Sequence, residues 1–220
     1  MWLLKPPGVY RPQADTWLLA QALRDAAIPL GARVLDLCTG TGALAVVAAR
    51  AGAGHVMAVD ISLRAAWTAR FNTMVRGLPV QVQCGDALRC LAGRRFDVVL
   101  ANPPYVPCEE KDLNGRGAAR AWDAAWNGRA LLDPLCAHAP AMLSRGGMLL
   151  IVHSEICGIM ATLNRLRGGG LKAAVVARKV VAFGPIMRQR ISLLERQGLI
   201  RTGQRHEELV VIRADRHDRQ

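Results

Sequence analysis

Four short apolar runs, Arg33–Leu37, Val56–Asp60, Val80–Cys84 and Phe96–Ala101, are spaced so that a helix or a tight turn separates each from the next. Ala43–Ala51 is almost wholly apolar and Ser62–Arg76 has a helical pattern, so the chain alternates strand and helix. Such alternation leads to an α/β fold with a doubly wound, mostly parallel sheet, because each crossover returns the chain to the same edge. Upstream, Asp15 is placed to cap a helix through Ala27, with Trp17, Leu18, Ala22, Leu23 and Ala26 on one stripe, ended by Pro29 and Gly31. Downstream, the pattern predicts a helix over Gly128–Leu143, a strand over Gly147–His153 and a helix over Cys157–Arg167. A strand over Lys172–Ala182, a helix over Ile186–Gln197 and a last strand over Leu209–Arg213 follow. The expected organisation is one domain, residues 1–213, opened by a leading segment and helix over 1–31. A mobile loop is expected over 107–120 and a polar tail over 214–220.

The strand ends carry the chemistry. The first runs into Asp36-Leu37-Cys38-Thr39-Gly40-Thr41-Gly42, where Gly40 and Gly42 let backbone approach a ligand because neither has a Cβ. This is neither a dinucleotide Gly-x-Gly-x-x-Gly nor a P-loop. Asp36 would repel a pyrophosphate and attract an ammonium. The second strand ends on Asp60, about twenty residues on, the spacing at which a carboxylate grips a ribose diol. The third leads into Gly85-Asp86-Ala87, and the fourth delivers Asn102-Pro103-Pro104-Tyr105. Two prolines fix φ and remove two donors, leaving carbonyl acceptors beside the Asn side-chain oxygen and an aromatic ring. That set suits a planar NH2 group held by both hydrogens. Taken singly, Asp60 and Asp86 also read as helix N-caps, and the tetrapeptide as a strand terminator.

The series Asp36–Gly42, Asp60, Asp86 and Asn102-Pro103-Pro104-Tyr105 resembles class I S-adenosylmethionine-dependent methyltransferases, which have a Rossmann-like, seven-stranded sheet with an antiparallel last strand. Residues Gly8–Leu19, Gly-Val-Tyr-Arg-Pro-Gln-Ala-Asp-Thr-Trp-Leu-Leu, are similar to the opening segment of the HemK-related protein glutamine methyltransferases, in their short archaeal and eukaryotic branch. Arg205–Arg213 resembles that branch's closing strand, so the likeness spans about residues 8–213. Two positions depart from it: Arg11 stands where Glu is frequent, and Trp17 replaces Phe as a packing residue.

The resemblance implies S-adenosyl-L-methionine as cofactor. Asp60 would accept from the ribose hydroxyls, Asp86 with the Ala87 amide would read the adenine edge, and Asp36 would draw the ammonium. Thr16 would lie near the methionine moiety, with Gly40, Gly42 and Asn102 completing the cofactor site. Asn102 Oδ1 and the Pro103 carbonyl would hold the acceptor NH2, and Tyr105 would stack on its plane. His153 and His138 are read as structural. The implied acceptor is the glutamine of Gly-Gly-Gln in a peptide-chain release factor. Exocyclic amines such as adenine N6 in RNA or DNA remain an alternative, as does a module that binds cofactor without turnover. The short enzymes typically work with an activator subunit, which an apolar patch on one sheet edge would mark.

Composition narrows the field further. Hydrophobic residues make up 51% of 220 residues, ample for a core, and no apolar stretch reaches the ~18 residues a membrane span needs. The opening residues lack the pattern of a secretory leader. Cys38, Cys84, Cys90, Cys108, Cys136 and Cys157 are scattered, without metal-ligand spacing, as expected for small hydrophobes in a reducing cytoplasm. Net charge is +12, and residues 161–205 hold ten Lys/Arg against Glu195 alone. That segment would meet RNA, a ribosome or an acidic protein surface, or else is a solvated face.

Overall fold

The computed structural model describes residues 1–86, 88, 93–108 and 124–217. Seven strands form one sheet in the order β3-β2-β1-β4-β5-β7-β6. They are β1 Arg33–Leu37, β2 His55–Asp60, β3 Val80–Cys84, β4 Phe96–Ala101, β5 Leu143–Ser154, β6 Lys172–Ala182 and β7 His206–Asp215. Strands β1 to β5 pair in parallel, while β7 runs antiparallel between β5 and β6. This is the class I methyltransferase sheet, and the antiparallel strand stands where the resemblance placed it. It also puts the first residues of β7 at the carboxyl edge, beside the end of β5, where Ser154 pairs with Leu209.

Helices α1 (Ala14–Asp25), α2 (Ala43–Arg50) and α3 (Leu63–Met74) precede β4; α4 (Leu132–Met142), α5 (Ile159–Gly168), α6 (Pro185–Gln189) and α7 (Ile191–Arg196) follow it. Alternate strand residues face opposite sides. Leu35, Met57, Val99 and Leu149 pack with α4 and α5, whereas Val34, Val56, Val98 and Leu150 pack with α1 and α2. Both faces of β1, β2, β4 and β5 are buried, which is why these strands read as apolar runs, whereas the edge strands β3 and β6 are only partly buried.

Several boundaries differ from expectation. Gln13, not Asp15, is the N-cap of α1, and Asp15 lies buried in the first turn with its carboxyl committed elsewhere. The buried stripe of α1 is Asp15, Thr16, Leu19, Ala20, Ala22 and Leu23, so Trp17, 39% exposed, is not a core packing residue. The helix expected from Gly128 begins at Leu132; Gly128 has φ +73°, outside helical geometry, and must be glycine because an added Cβ would lie 2.4 Å from the Tyr105 carbonyl. The helix expected over 186–197 divides at Arg190, which leaves helical geometry while its guanidinium donates to the Pro107 carbonyl at 3.0 Å. Strand β7 extends to Asp215 with Ala214 fully buried, so the tail cannot start at residue 214. Most of the loop expected over 107–120 lies outside the described residues.

Candidate functional site

The carboxyl ends of β1, β2 and β4 converge on a cleft. It is lined by Tyr10, Pro12 and Thr16 from the leading segment and α1, by Cys38–Thr41, Ala43 and Leu44 of the glycine turn and the helix after it, and by Asn102. The turn is strained: Cys38 has φ +58° and Gly40 φ +55°, left-handed values that disfavour any side chain with a Cβ. The two glycines differ in role. A Cβ on Gly40 would face Tyr10 across the cleft at 3.7 Å, whereas one on Gly42 would press on Ala69 of α3 at 3.1 Å. Gly42 therefore serves close packing of turn against helix, and it is not among the residues lining the cleft.

Asp60 ends β2 and ties the turn down. Its Oδ2 accepts the Gly40 amide at 2.9 Å and its Oδ1 accepts the Ser62 amide at 2.9 Å. Burial raises its carboxyl, and those two bonds oppose the rise. Asp86 lies exposed after β3 and accepts the Leu88 amide at 2.9 Å. Ala87 lies outside the described residues.

Asp36 is fully buried beneath the turn. Its Oδ2 accepts from Thr39 Oγ1 at 2.5 Å and from the Ala45 amide at 3.0 Å, while Oδ1 has no hydrogen-bond partner. Burial pushes the carboxyl up to about 7 from 3.8, against the pull of those two bonds. The folded chain therefore holds this proton more tightly than the unfolded chain does. The resulting stability is full below the unfolded value near 4 and is lost as pH rises toward 7. A shift of this size corresponds to roughly 4 kcal/mol. Urea unfolding should accordingly show a less stable chain at pH 8 than at pH 5. Asp36→Asn should remove Asp36's share of that slope, and an unaltered slope in the variant would contradict the assignment.

The leading segment meets the Asn-Pro-Pro-Tyr tetrapeptide through two adjacent residues. Asn102 Nδ2 donates to Thr16 Oγ1 at 3.2 Å, which leaves Asn102 Oδ1 as the free end of the amide. Tyr105 Oη donates to Asp15 Oδ2 at 3.0 Å, and Tyr10 Oη donates to the same oxygen at 2.6 Å. Asp15 Oδ1 accepts from the Thr16 amide at 2.5 Å and from Thr16 Oγ1 at 3.2 Å. Four donors thus meet one carboxyl that is only 2% exposed. The Tyr105 ring is held by its hydroxyl and packs among Val106, Phe183 and Met187, with its carbonyl accepting from Cys157 Sγ at 3.1 Å. Pro103 is buried. Burial, with the nearby Asp15, holds both tyrosine hydroxyls protonated well beyond the ordinary range.

Sequence reasoning read Asp15 only as a helix cap and gave Tyr10 no role of its own. Asp15 had a signal, since an acidic residue directly before Thr16 in an otherwise apolar stripe must find donors or cap a helix. His153 is fully buried, with Nδ1 at 2.8 Å from the Ser154 carbonyl, and burial lowers its imidazole to about 4. His138 is exposed, with Nδ1 at 2.8 Å from the Pro134 carbonyl. Neither is among the residues lining the cleft.

Residues 1–117 match the family model described as the methyltransferase small domain. A Methanocaldococcus jannaschii protein, provisionally named protein N5-glutamine methyltransferase, is 32% identical over 181 residues, 82% of this chain and 90% of that protein. The release factor glutamine methyltransferase of Mycolicibacterium smegmatis is 36% identical over 162 residues, 68% of this chain. The chain spans only 55% of that longer relative. Among solved structures, E. cuniculi Mtq2 in complex with Trm112, responsible for methylation of the eRF1 termination factor, superposes with a TM-score of 0.60. The two are 22% identical, over 95% of this chain and 99% of that one, a likeness of fold. The chain belongs to the methyltransferase small domain family, within its protein glutamine methyltransferases.

Proposed function

We propose that this methyltransferase transfers a methyl group to the side-chain amide nitrogen of a protein glutamine, in the Gly-Gly-Gln loop of a peptide-chain release factor. The observation that carries this reading is the pair Asn102–Thr16. The hydrogen bond from Nδ2 fixes the amide and frees Oδ1 to accept one hydrogen of an incoming NH2. The Pro103 carbonyl would accept the other, so the acceptor nitrogen is held with its plane fixed and its lone pair drawn toward the donor. Tyr105, tied to Asp15, walls this place rather than swinging freely onto the target plane. Desolvation by the surrounding residues does the rest, and no general base is assigned.

S-adenosyl-L-methionine supplies an electrophilic methyl on a sulfonium when bound. The residues present fit it: Asp36 offers an unpartnered buried oxygen for an ammonium, and Gly40 leaves backbone open to the cleft. Asp60 retains free lone pairs for a diol, and Asp86 stands at the next strand end. An ammonium beside Asp36 favours its ionised form. Cofactor affinity should therefore rise between pH 5.5 and pH 7.5 with release of a proton, measurable by calorimetry in buffers of different ionisation enthalpy.

The basic segment favours a nucleic-acid acceptor as the second reading, but much of its charge is already engaged. Arg165 pairs with Asp133, Arg178 with Glu208 and Arg205 with Glu195. Arg167 and Arg190 donate to backbone carbonyls. For duplex binding, affinity would fall with salt at about −0.9 per phosphate neutralised on a log–log plot. We expect a shallower dependence, set by ordinary interface charges. A steep one, with methyl on adenine N6, would replace the glutamine reading.

A partner subunit fits one surface. Strand β3 is one edge of the sheet, β6 being the other, and α3 packed over it exposes Leu63, Trp67 (62% exposed), Phe71 and Met74. Trp2 and Leu4 extend this face, and Leu4, Leu63, Trp67 and Phe71 line a groove. An apolar face of this kind, beside a strand with one edge unpaired among the described residues, suits a partner subunit that adds a strand and covers the helix. Trp67→Glu should abolish binding of such a subunit while changing stability by less than about 0.5 kcal/mol. Retained binding, or a loss of several kcal/mol in the isolated chain, would make the face part of the enzyme's own core.

A further inference from the structure

Arg129 is a buried cation just ahead of α4, only 8% exposed. Its Nε and Nη2 donate to Asp133 Oδ1 at 3.0 and 2.6 Å. On the other side of the guanidinium, Nη1 donates to the Cys157 carbonyl at 2.5 Å and to Thr162 Oγ1 at 3.1 Å. Helix α4, the turn after β5 and helix α5 thus meet on one side chain, whose rigid fork fixes them relative to each other. That same turn touches the Asn-Pro-Pro-Tyr tetrapeptide. Cys157 Sγ donates to the Tyr105 carbonyl at 3.1 Å. Gly128, next to Arg129, closes the niche: a Cβ on it would lie 2.4 Å from the Tyr105 carbonyl and 2.7 Å from Cys157 Sγ. The chain on either side is laid alongside, the Ala124 amide donating to the Val106 carbonyl at 3.2 Å and the Cys108 amide to the Ala125 carbonyl at 2.9 Å. Tyr105 is therefore gripped at both ends, by Asp15 at its hydroxyl and by Cys157 at its carbonyl.

We propose that Arg129 is a positioning residue of the acceptor site: by holding the Cys157 carbonyl it fixes the thiol that holds the Tyr105 carbonyl, and through Tyr105 the placement of the Pro103 carbonyl and Asn102 Oδ1. This rests on the proposed function, since those are the two groups that hold the acceptor amide. The link is the pair of prolines between them. Their rings fix φ at Pro103 and Pro104, and each restricts the residue before it, so little rotation is available to absorb a displacement. A shift of the Tyr105 peptide therefore reaches the Pro103 carbonyl, and a misplacement of about 1 Å at a reacting group can cost on the order of 100-fold in rate. A guanidinium that only stapled α4 to α5 would act on stability and leave the rate of the folded chain unchanged. Replacing Arg129 does not strip Asp133 of its partners, because Arg165 Nε stays 3.1 Å from the same Oδ1.

The test measures single-turnover rate on a purified release factor, with calorimetric cofactor affinity on the same preparations. Arg129→Met and Cys157→Ala should each lower the rate about tenfold or more at unchanged cofactor affinity. Cys157→Ser keeps a donor to the Tyr105 carbonyl and should recover most of the rate lost in Cys157→Ala. Arg165→Met, which removes the other cation on Asp133, should keep the wild-type rate. Arg129→Met combined with Cys157→Ala should cost little more than the worse single change, because both cut one link. An unchanged rate in folded Arg129→Met overturns the proposal, as does a double loss equal to the product of the single losses. Should Arg129→Met not fold, the Cys157 pair decides, and equal losses in Cys157→Ser and Cys157→Ala are fatal. A second readout needs no acceptor. The chain has two tyrosines, so 3-fluorotyrosine labelling gives two fluorine resonances, assigned with Tyr10→Phe. The Tyr105 resonance should shift or broaden in Arg129→Met and stay in place in Arg165→Met, and an unmoved resonance in Arg129→Met counts against the proposal whatever the acceptor. Failure of the acceptor reading looks different: no methyl on glutamine in the wild-type chain, with the fluorine change still present.

Discussion

Asn102→Ala is expected to lower turnover at least ~100-fold while leaving S-adenosylmethionine affinity nearly intact. The reason lies in how the amide is held. Thr16 Oγ1 takes one hydrogen of Nδ2, so Oδ1 is an oriented acceptor whose energy is realised when the target nitrogen is distorted toward the methyl donor. Alanine removes that acceptor and leaves Thr16 with its bond to Asp15, so the local framework survives. Thr16→Val should give a smaller loss, since Asn102 keeps its oxygen but not its anchor. Calorimetric titration of cofactor and single-turnover rates on the same preparations separate the two effects. Near-normal turnover in a folded Asn102→Ala chain would reduce the tetrapeptide to a strand terminator.

Asp60→Ala should weaken S-adenosylmethionine binding by about 1.5–3 kcal/mol, or roughly 10- to 150-fold. Two contributions combine. A charge-assisted bond to a ribose hydroxyl is lost, and the Gly40 and Ser62 amides lose the carboxyl that now accepts both. The second contribution loosens the turn itself, so unfolding stability should drop as well. Asp60→Asn retains one acceptor and should be intermediate in both measurements. Unchanged cofactor affinity in folded Asp60→Ala would remove Asp60 from the site, and a stability loss alone would assign it to the turn only.

The central strands were readable because their burial on both faces leaves uninterrupted apolar runs. β1 and β4 have the limits read from the sequence, and so do the edge strands β3 and β6, which are only partly buried and were bounded instead by the turn residues that flank them. Helix ends were harder, because they depend on contacts distant in sequence. Gly128 stands outside α4 with φ +73°, at a place where the Tyr105 carbonyl leaves no room for a Cβ, and the break at Arg190 coincides with its bond to Pro107. The same holds at the site. Strand-end residues such as Asp36, Asp60 and Asn102 announce themselves by position, since each follows an apolar run. The Asp15 carboxyl does not, because its partners Tyr10 and Tyr105 lie 5 and 90 residues away. Gly42 shows the converse: a glycine in a ligand-binding turn whose missing side chain makes room for Ala69.

The most direct measurement is to incubate the chain with isotopically labelled S-adenosylmethionine and a peptide-chain release factor, with and without the partner subunit, and to map the labelled atom by mass spectrometry. Ribosomal RNA and DNA are offered in parallel. The account predicts label on the side-chain nitrogen of the glutamine in Gly-Gly-Gln, and none when that glutamine is replaced. Label on adenine N6 of nucleic acid, with the release factor unmodified in both preparations, would contradict it.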